Sequence, residues 1–356
     1  MAKVYFLDLH STPERNILNK LESALGEACS EVTIRKGDMV AVKTHFGERG
    51  NLAFIRHQYL RKVVDFVKSL GGDPFLTDTN TLYVGTRSRA TDHIATAFHN
   101  GFGPLSTGAP LIIADGLRGD SKAHVKIKGE LVKDAVIGLE VYNADTLFAV
   151  THFKGHELTG FGGAIKNLGM GCAAREGKLF QHSTVSPYVD LSSCVACGKC
   201  AAHCPGGAIS ISTRGAVIDQ SPCIGCADCI VICPENTIHV DWNEASVSVM
   251  RKMAEYALAA IVGKEEKTLL VNFITQVSPL CDCYGFNDVP IAPDVGICLS
   301  TDPLALDQAS VDLVTRACGD EDPFRKTHPH IDWSIQLEHG EKIGLGSRKY
   351  ELVTIP

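Results

Sequence analysis

Apolar residues follow two rhythms through the first 185 positions, and the rhythms alternate. Short apolar runs at Val4–Leu9, Met39–Val42, Phe75–Thr77, Leu111–Ala114 and Leu147–Val150 read as strands. Between them lie segments with helical spacing. Pro13–Ala28 carries Pro13 near its first turn. Arg56–Leu70 lines up Leu60, Val63, Val64 and Val67 on one stripe and closes at Gly71-Gly72, and Arg89–Asn100 continues the alternation. Strand–helix alternation predicts a mostly parallel sheet covered by helices. The rhythm resumes near position 242, with a helix over about Glu244–Val262 and a strand at Leu269–Ile274. A last long helix is entered through Ser300-Thr301-Asp302-Pro303, with Asp302 as its N-cap, and ends at Cys318 before Gly319. The C-terminal part has too few strands to cover a sheet of its own. The expected fold is therefore α/β: one discontinuous, mostly parallel sheet domain built from residues 1–185 and 242–356.

What interrupts it is marked by sulfur. The chain has 14 cysteines in 356 residues, and eight of them fall between Cys194 and Cys233. Clustered cysteines in a reducing compartment point to metal rather than disulfides. Cys194, Cys197, Cys200 and Cys204-Pro205 follow C-x2-C-x2-C-x3-C-P, and Cys223, Cys226, Cys229 and Cys233-Pro234 repeat it. Three closely spaced thiolates can hold three corners of one iron–sulfur cube while the fourth arrives from elsewhere in the chain. Proline after the last cysteine turns the backbone away without leaving an N–H unpaired. Each run is followed by a short apolar β-like segment, Ala208–Ile211 and Thr237–Val240, so the unit reads as an internal duplication. Structural zinc does not require this doubled rhythm.

The segment resembles bacterial two-cluster ferredoxins, a small α+β module here inserted over residues 186–241. The resemblance implies two [4Fe-4S] clusters with crossed fourth ligands. Cluster I would take Cys194, Cys197, Cys200 and Cys233; cluster II would take Cys204, Cys223, Cys226 and Cys229.

Composition narrows the remaining possibilities. Apolar content of 45% and charged content of 21% suit a globular chain, and a net charge of −7 without basic runs argues against a nucleic-acid partner. No window approaches the ~18 apolar residues of a membrane span. The start, MAKVYFLDLH, reads as a core strand and lacks the plan of a signal peptide, so a cytoplasmic location is expected.

Two segments echo each other: Met39–Gly47 and Leu147–Gly155 are apolar strands that end in Thr-His-Phe before a glycine. Ligands of open α/β sheets bind beyond the C-terminal ends of strands, so His45 and His152 are candidates to face one crevice as ligands or acid–base groups. The second segment continues as Lys154-Gly-His156 and Gly160-Phe-Gly162-Gly163, then a short helix over Ala164–Leu168. Exposed N–H groups at that helix start would attract a small anionic ligand, with Gly162 and Gly163 allowing close approach. Lys43, Lys154, Lys166, His156 and Asn167 would add charge and directed hydrogen bonds. Neither a P-loop nor a Rossmann fingerprint is present. Asp307, one turn into the last long helix, is expected on a solvated face.

Cys281-Asp282-Cys283 is too tight for an easy disulfide but can chelate a soft metal, with Cys172 as a candidate third ligand. Cys29, Cys298 and Cys318 read as buried apolar residues.

With these motifs, THFKGHELTGFGGAIKNLGMG (151–171), the CDC triplet and DVGICLSTDPLALDQASVDL (294–313), the chain resembles the domain-of-unknown-function 362 family in its iron–sulfur form. The resemblance implies the discontinuous α/β fold with an embedded two-cluster ferredoxin and supplies no reaction. The functional expectation is an oxidoreductase component that passes single electrons between a redox partner protein or soluble carrier and a ligand in the crevice. His45, His152 and Lys166 are its candidate catalytic residues. Flavin stays compatible, since flavin sites need no short motif. The alternatives are a cluster-bearing binding or assembly protein, and non-redox metal chemistry at the histidines, where the strand-end His and glycine-rich Lys turn are faintly similar to lactate racemase-type proteins.

Overall fold

The computed structural model describes residues 1–356. Eight strands make the main sheet: β1 (Ala2–Asp8), β2 (Met39–Lys43), β3 (Asp73–Asp78), β4 (Leu111–Ile113), β5 (Thr146–His152), β6 (Thr268–Ile274), β7 (Gly296–Ser300) and β8 (Tyr350–Thr354). Their order is β8-β1-β7-β6-β5-β2-β3-β4. Every neighbouring pair is parallel except the two made by β7, which runs against β1 and β6. Strands from both sides of the cysteine-rich segment thus share one sheet.

The central strands are buried along their length, and successive side chains alternate between two cores, as a pleated sheet covered on both faces requires. Ala41, Leu147, Ala149, Leu270 and Cys298 enter one apolar core, while Val40, Val42, Phe148, Val150, Leu269, Val271 and Phe273 enter the other. The second face is covered by α1 (Ile17–Ala28), α2 (His57–Ser69) and α3 (Ala90–His99). The stripe Leu60, Val63, Val64 and Val67 of α2 is fully buried there, each side chain contributing ~1.5–3 kcal/mol. The first face is covered by α4 (Ala164–Gly169), α6 (Ser246–Ile261), α7 (Pro303–Ala317) and α8 (Ser334–Lys342); α5 (Arg175–His182) packs beside α6. No helix is long and apolar enough to cross a membrane.

Some boundaries differ from expectation. The first helix begins at Ile17 rather than Pro13, because the Asn16 side chain accepts from the N–H groups of Leu18 and Asn19 and sets the start. Asp302 caps α7 as expected, accepting from Leu304 and Ala305. Strands β7 and β8 carry no isolated pattern strong enough to announce them and are recruited by their neighbours.

Residues 186–241 form two small antiparallel pairs, Tyr188–Val189 with Ile238–His239 and Ile209–Ser212 with Gly215–Ile218, and two short helices. Ala216, Ala227, Ile230, Ile238 and Val240 make a separate apolar cluster, to which Leu82 and Leu179 also belong. Leu179 lies on α5, so that helix ties this segment to the larger body.

Candidate functional site

Because β2 and β5 are parallel neighbours, the two Thr-His-Phe segments leave the sheet at the same edge. Past His152 the chain forms a tight pair in which Lys154 faces Gly162 and His156 faces Gly160, and then enters α4. The loop after β6 folds back over this pair. Gly155 N donates to Ser278 O at 2.8 Å, and a Cβ at Gly155 would lie 2.3 Å from Pro279 O, so only glycine allows the approach. That approach sets Cys281-Asp282-Cys283 over the histidines and lysines.

Asp282, fully buried, is the hub. Both of its oxygens lie 2.9 Å from His152 Nδ1, and Lys154 Nζ is 3.4 Å away. Burial alone would raise its pKa, but His152 and Lys154 hold it well below the usual carboxylate range. His152 Nε2 faces Thr275 O at 2.9 Å, so both ring nitrogens are engaged and the ring acts to position the loop. His45 accepts from Gly47 N on Nδ1 at 3.0 Å. Its ring keeps some exposed surface yet is closely surrounded, and burial, then the Arg87 charge, push its pKa well down and keep it neutral.

Cys281 is 2% exposed, and hydrogen-bond donors converge on its sulfur. Lys166 Nζ donates to Sγ at 3.3 Å, and the Cys283 thiol and His156 ring lie beside it. His156 accepts from Leu158 N on Nδ1 at 3.2 Å, which leaves Nε2 as the ring's donor. The bond from Cys283, then Lys166 and His156, hold the Cys281 thiol well below its ordinary range despite burial. Cys283 is raised correspondingly by the same shared bond. Burial would lower Lys166, but the two sulfurs raise its pKa and keep it an ammonium.

A second buried network flanks the first. Lys43 Nζ reaches Asn167 Oδ1 at 2.7 Å and Asp78 Oδ1 at 2.9 Å, and Asn167 donates to Thr151 Oγ1 at 2.9 Å. Arg87 reaches Glu48 at 3.3 Å and Tyr83 at 2.7 Å, and Tyr83 donates to Cys283 O at 3.2 Å. Glu48 N in turn donates to Asp282 O at 3.1 Å.

His45, His152, Lys43, Lys154, His156, Lys166, Asn167, Cys281 and Cys283 therefore belong to one connected centre. Cys172 lies behind this centre, its thiol donating to Asn167 O at 3.8 Å. It is fully buried, burial raises its thiol to about 11, and the charges around it are those of Lys43, Asp78, Lys178 and Lys264. Sequence reasoning missed Glu48, Tyr83, Arg87 and Asp78, which lie on loops and strand ends without a motif, and gave Asp282 no role beyond separating the two cysteines. It also missed Lys178 of α5, which donates to Ala173 O at 2.6 Å and to Thr79, and which burial pushes down to about 8.

Two expectations are corrected. The N–H groups that open α4 do not await an outside anion: Asp307 accepts from Ala164 N at 2.7 Å and Ile165 N at 2.9 Å. Asp307 is accordingly fully buried rather than on a solvated face, and it also accepts from Asn272 Nδ2 at 2.8 Å. Gly163 serves this internal contact, because a Cβ there would lie 2.2 Å from Asp307 Oδ1. Gly162 faces the Lys166 stem instead, with a Cβ position 3.0 Å from its Cδ.

The eight clustered cysteines divide between two cavities. Cys194, Cys197, Cys200 and Cys233 line one, and Cys204, Cys223, Cys226 and Cys229 line the other. The backbone around them is duplicated in detail. Left-handed residues recur at matched offsets: Ala196 with Gly225, Gly198 with Ala227, and Gly207 with Asn236. Three of these six are not glycine, an uncommon burden for the local backbone to hold. Backbone N–H groups already point at sulfur, from Ala216 to Cys194 at 3.4 Å, Ala208 to Cys204 at 3.3 Å and Thr237 to Cys233 at 3.4 Å. Four sulfurs per cavity with amide donors behind them are a donor set suited to a metal–sulfur group.

The fold and site define a mixed α/β protein with a large, mostly parallel sheet and a buried polar centre at its strand ends. The chain belongs to the family described as Domain of unknown function (DUF362), whose model matches residues 40–312. Among solved structures it is similar to the lactate racemase apoprotein from Thermoanaerobacterium thermosaccharolyticum, with 13% identity and a TM-score of 0.40, covering 77% of this chain and 51% of that one. It is also similar to a protein from Thermotoga maritima, with 10% identity and a TM-score of 0.43, covering 86% of this chain and 60% of that one. The chain thus spans less than two thirds of either structure. No curated protein matches it.

Proposed function

We propose that this chain is an iron–sulfur oxidoreductase component in which residues 186–241 act as an inserted two-cluster ferredoxin-like unit and the Cys281–Lys166 centre is the site it serves. Two [4Fe-4S] clusters, when bound, would supply one-electron exchange at potentials anywhere within roughly −700 to +450 mV. Cys194, Cys197, Cys200 and Cys233 would hold one, and Cys204, Cys223, Cys226 and Cys229 the other. The observation that carries the reading is the crossed division of the cysteines between two cavities, each run contributing three sulfurs to one and a single sulfur to its neighbour.

The chain's own residues do the rest. Lys166 and the neutral His45 supply charge and a hydrogen-bond donor at the crevice, while His152 and Asp282 fix the loop that carries the sulfurs. Helix α5 joins the two regions: Leu179 packs into the small apolar cluster and Lys178 reaches Thr79 at the end of β3. Exposed Val195 (61%) and Ile224 (54%) sit at the rims of the two cavities, where a soluble carrier or redox partner protein would approach.

The test is anaerobic purification followed by iron and sulfide analysis and a stepwise reductive titration read by visible and spin-resonance spectra. About eight irons per chain and two reducible species are expected. Zinc in place of iron, or clusters inert across the accessible range, overturns the proposal.

A further inference from the structure

Cys281 and Cys283 stand outside the two cysteine-lined cavities, and their surroundings favour one kind of sulfur chemistry. Cys281 receives an ammonium donor at 3.3 Å, with the His156 imidazole and the Cys283 thiol beside it. A divalent metal at the same sulfur would have to sit beside the Lys166 charge, whereas a bare thiolate is stabilised by it. The protein also decides what can reach this thiolate. Cys281 is 2% exposed, while Cys283, two residues on, is half-buried. A tight turn brings the two together: Tyr284 N donates to Cys281 O at 3.2 Å, which makes the cysteines first and third residues of the turn. Such residues have Cα atoms within the ~4.4–6.8 Å that a disulfide spans. A bridge across one intervening residue is strained, which makes it labile rather than structural.

We propose that Cys281 and Cys283 form a redox-active dithiol, with Cys281 as the internal thiolate, Cys283 as the outward thiol and Lys166 as the residue that poises the pair. Oxidation forms the Sγ–Sγ bond, releases the Cys283 proton and removes two electrons. Reduction breaks the bond with two electrons and one proton, returning a thiolate on Cys281 and a thiol on Cys283. Iron–sulfur groups, as one-electron carriers, are the co-reactant class, and two equivalents balance one disulfide. This deepens the relay reading and takes its electron source from it. The dithiol couple itself is measured without reference to iron.

The experiment is a thiol–disulfide titration of the full anaerobic chain in glutathione buffers of graded ratio. Each point is quenched by alkylation, and the peptide carrying Cys281 and Cys283 is read by mass spectrometry. Expected is joint conversion of both cysteines between a dialkylated form and an unalkylated form two hydrogens lighter than the free dithiol peptide, with a two-electron slope. In Lys166→Met the thiolate loses its counter-charge, so the equilibrium is expected to move at least tenfold toward the disulfide, about 30 mV. In Cys283→Ser the two-electron transition disappears while Cys281 stays singly alkylatable, which covers a Lys166 variant that fails to fold. Independent alkylation of the two cysteines at every ratio overturns the proposal. So does a stoichiometric metal that blocks both sulfurs until chelated. Absence of iron with an intact dithiol titration would instead sink the relay reading and leave the couple standing.

Discussion

Adding one methyl group at Gly163 is expected to destabilise the protein more than deleting the Asp307 carboxylate. Gly163 has φ −121°, outside the left-handed region that favours glycine, so what decides the effect of alanine is the space around its Cβ. That Cβ would lie 2.2, 2.6 and 2.7 Å from three atoms of the Asp307 carboxylate, which must move. Movement strips the acceptor from Ala164 N and Ile165 N, and a buried donor without a partner costs ~1–3 kcal/mol, so ~2–6 kcal/mol for two. Asn272 keeps Ser310 as a second acceptor at 3.0 Å and adds little. The displaced carboxylate also stays buried and charged. Asp307→Ala orphans the same two N–H groups but removes the charge. Burial pushes that carboxyl from 3.8 up to about 6 against its hydrogen bonds, so near pH 7.5 its ionisation costs about 3 kcal/mol, which the alanine variant recovers. The net effect of Asp307→Ala then lies between about 1 kcal/mol of gain and about 3 kcal/mol of loss. Asp307→Ala should accordingly rescue Gly163→Ala, with a coupling of roughly 1–3 kcal/mol between the sites. The assay is urea unfolding of the anaerobic chain at pH 7.5, followed by circular dichroism and compared at constant m. Gly163→Ala within ~0.5 kcal/mol of the parent, or a double variant no more stable than Gly163→Ala, refutes the reasoning.

Three further outcomes follow from the same geometry. Asp282→Asn should cost ~3–5 kcal/mol at neutral pH by leaving His152 and Lys154 without their buried partner. The Asp282 carboxyl is held below its unfolded value, so its contribution is complete above about pH 4 and is lost as pH falls, and the acid limb of a stability–pH curve should flatten in the variant. Lys178 shows the opposite end of the scale: with its pKa lowered from 10.5 to about 8, the folded chain binds fewer protons than the unfolded one between those values. The parent should therefore gain up to about 3 kcal/mol relative to Lys178→Met as pH rises through that window, measured by denaturation at pH 7.5 and 10.5. For the crossed ligands, the spin-resonance spectrum of Cys204→Ser should match that of Cys226→Ser and differ from that of Cys197→Ser. A match to Cys197→Ser would place the fourth ligand within its own run.

Much of this protein could be read along the chain. The α2 stripe, the Asp302 cap, the doubled cysteine rhythm and the paired Thr-His-Phe segments depend on neighbours a few residues apart. Spacing alone therefore announces them. Composition and periodicity likewise determined the mostly parallel sheet built from both ends of the chain. What folding decided is which distant groups meet. Lys166 finds Cys281 across 115 positions, His152 finds Asp282 across 130, and Ala164 finds Asp307 across 143. None of these pairings leaves a local trace, because a carboxylate filling a helix start and one facing solvent look the same in sequence. The antiparallel insertion of β7 is of the same kind, since a strand's direction depends on the path of its connections and on the neighbours that complete its hydrogen bonds. Residue types thus set the available chemistry. The packing of the 275–283 loop onto Gly155 decided that a lysine, two histidines and two sulfurs would face one another in a buried space, where weak dielectric screening makes each charge felt by the next.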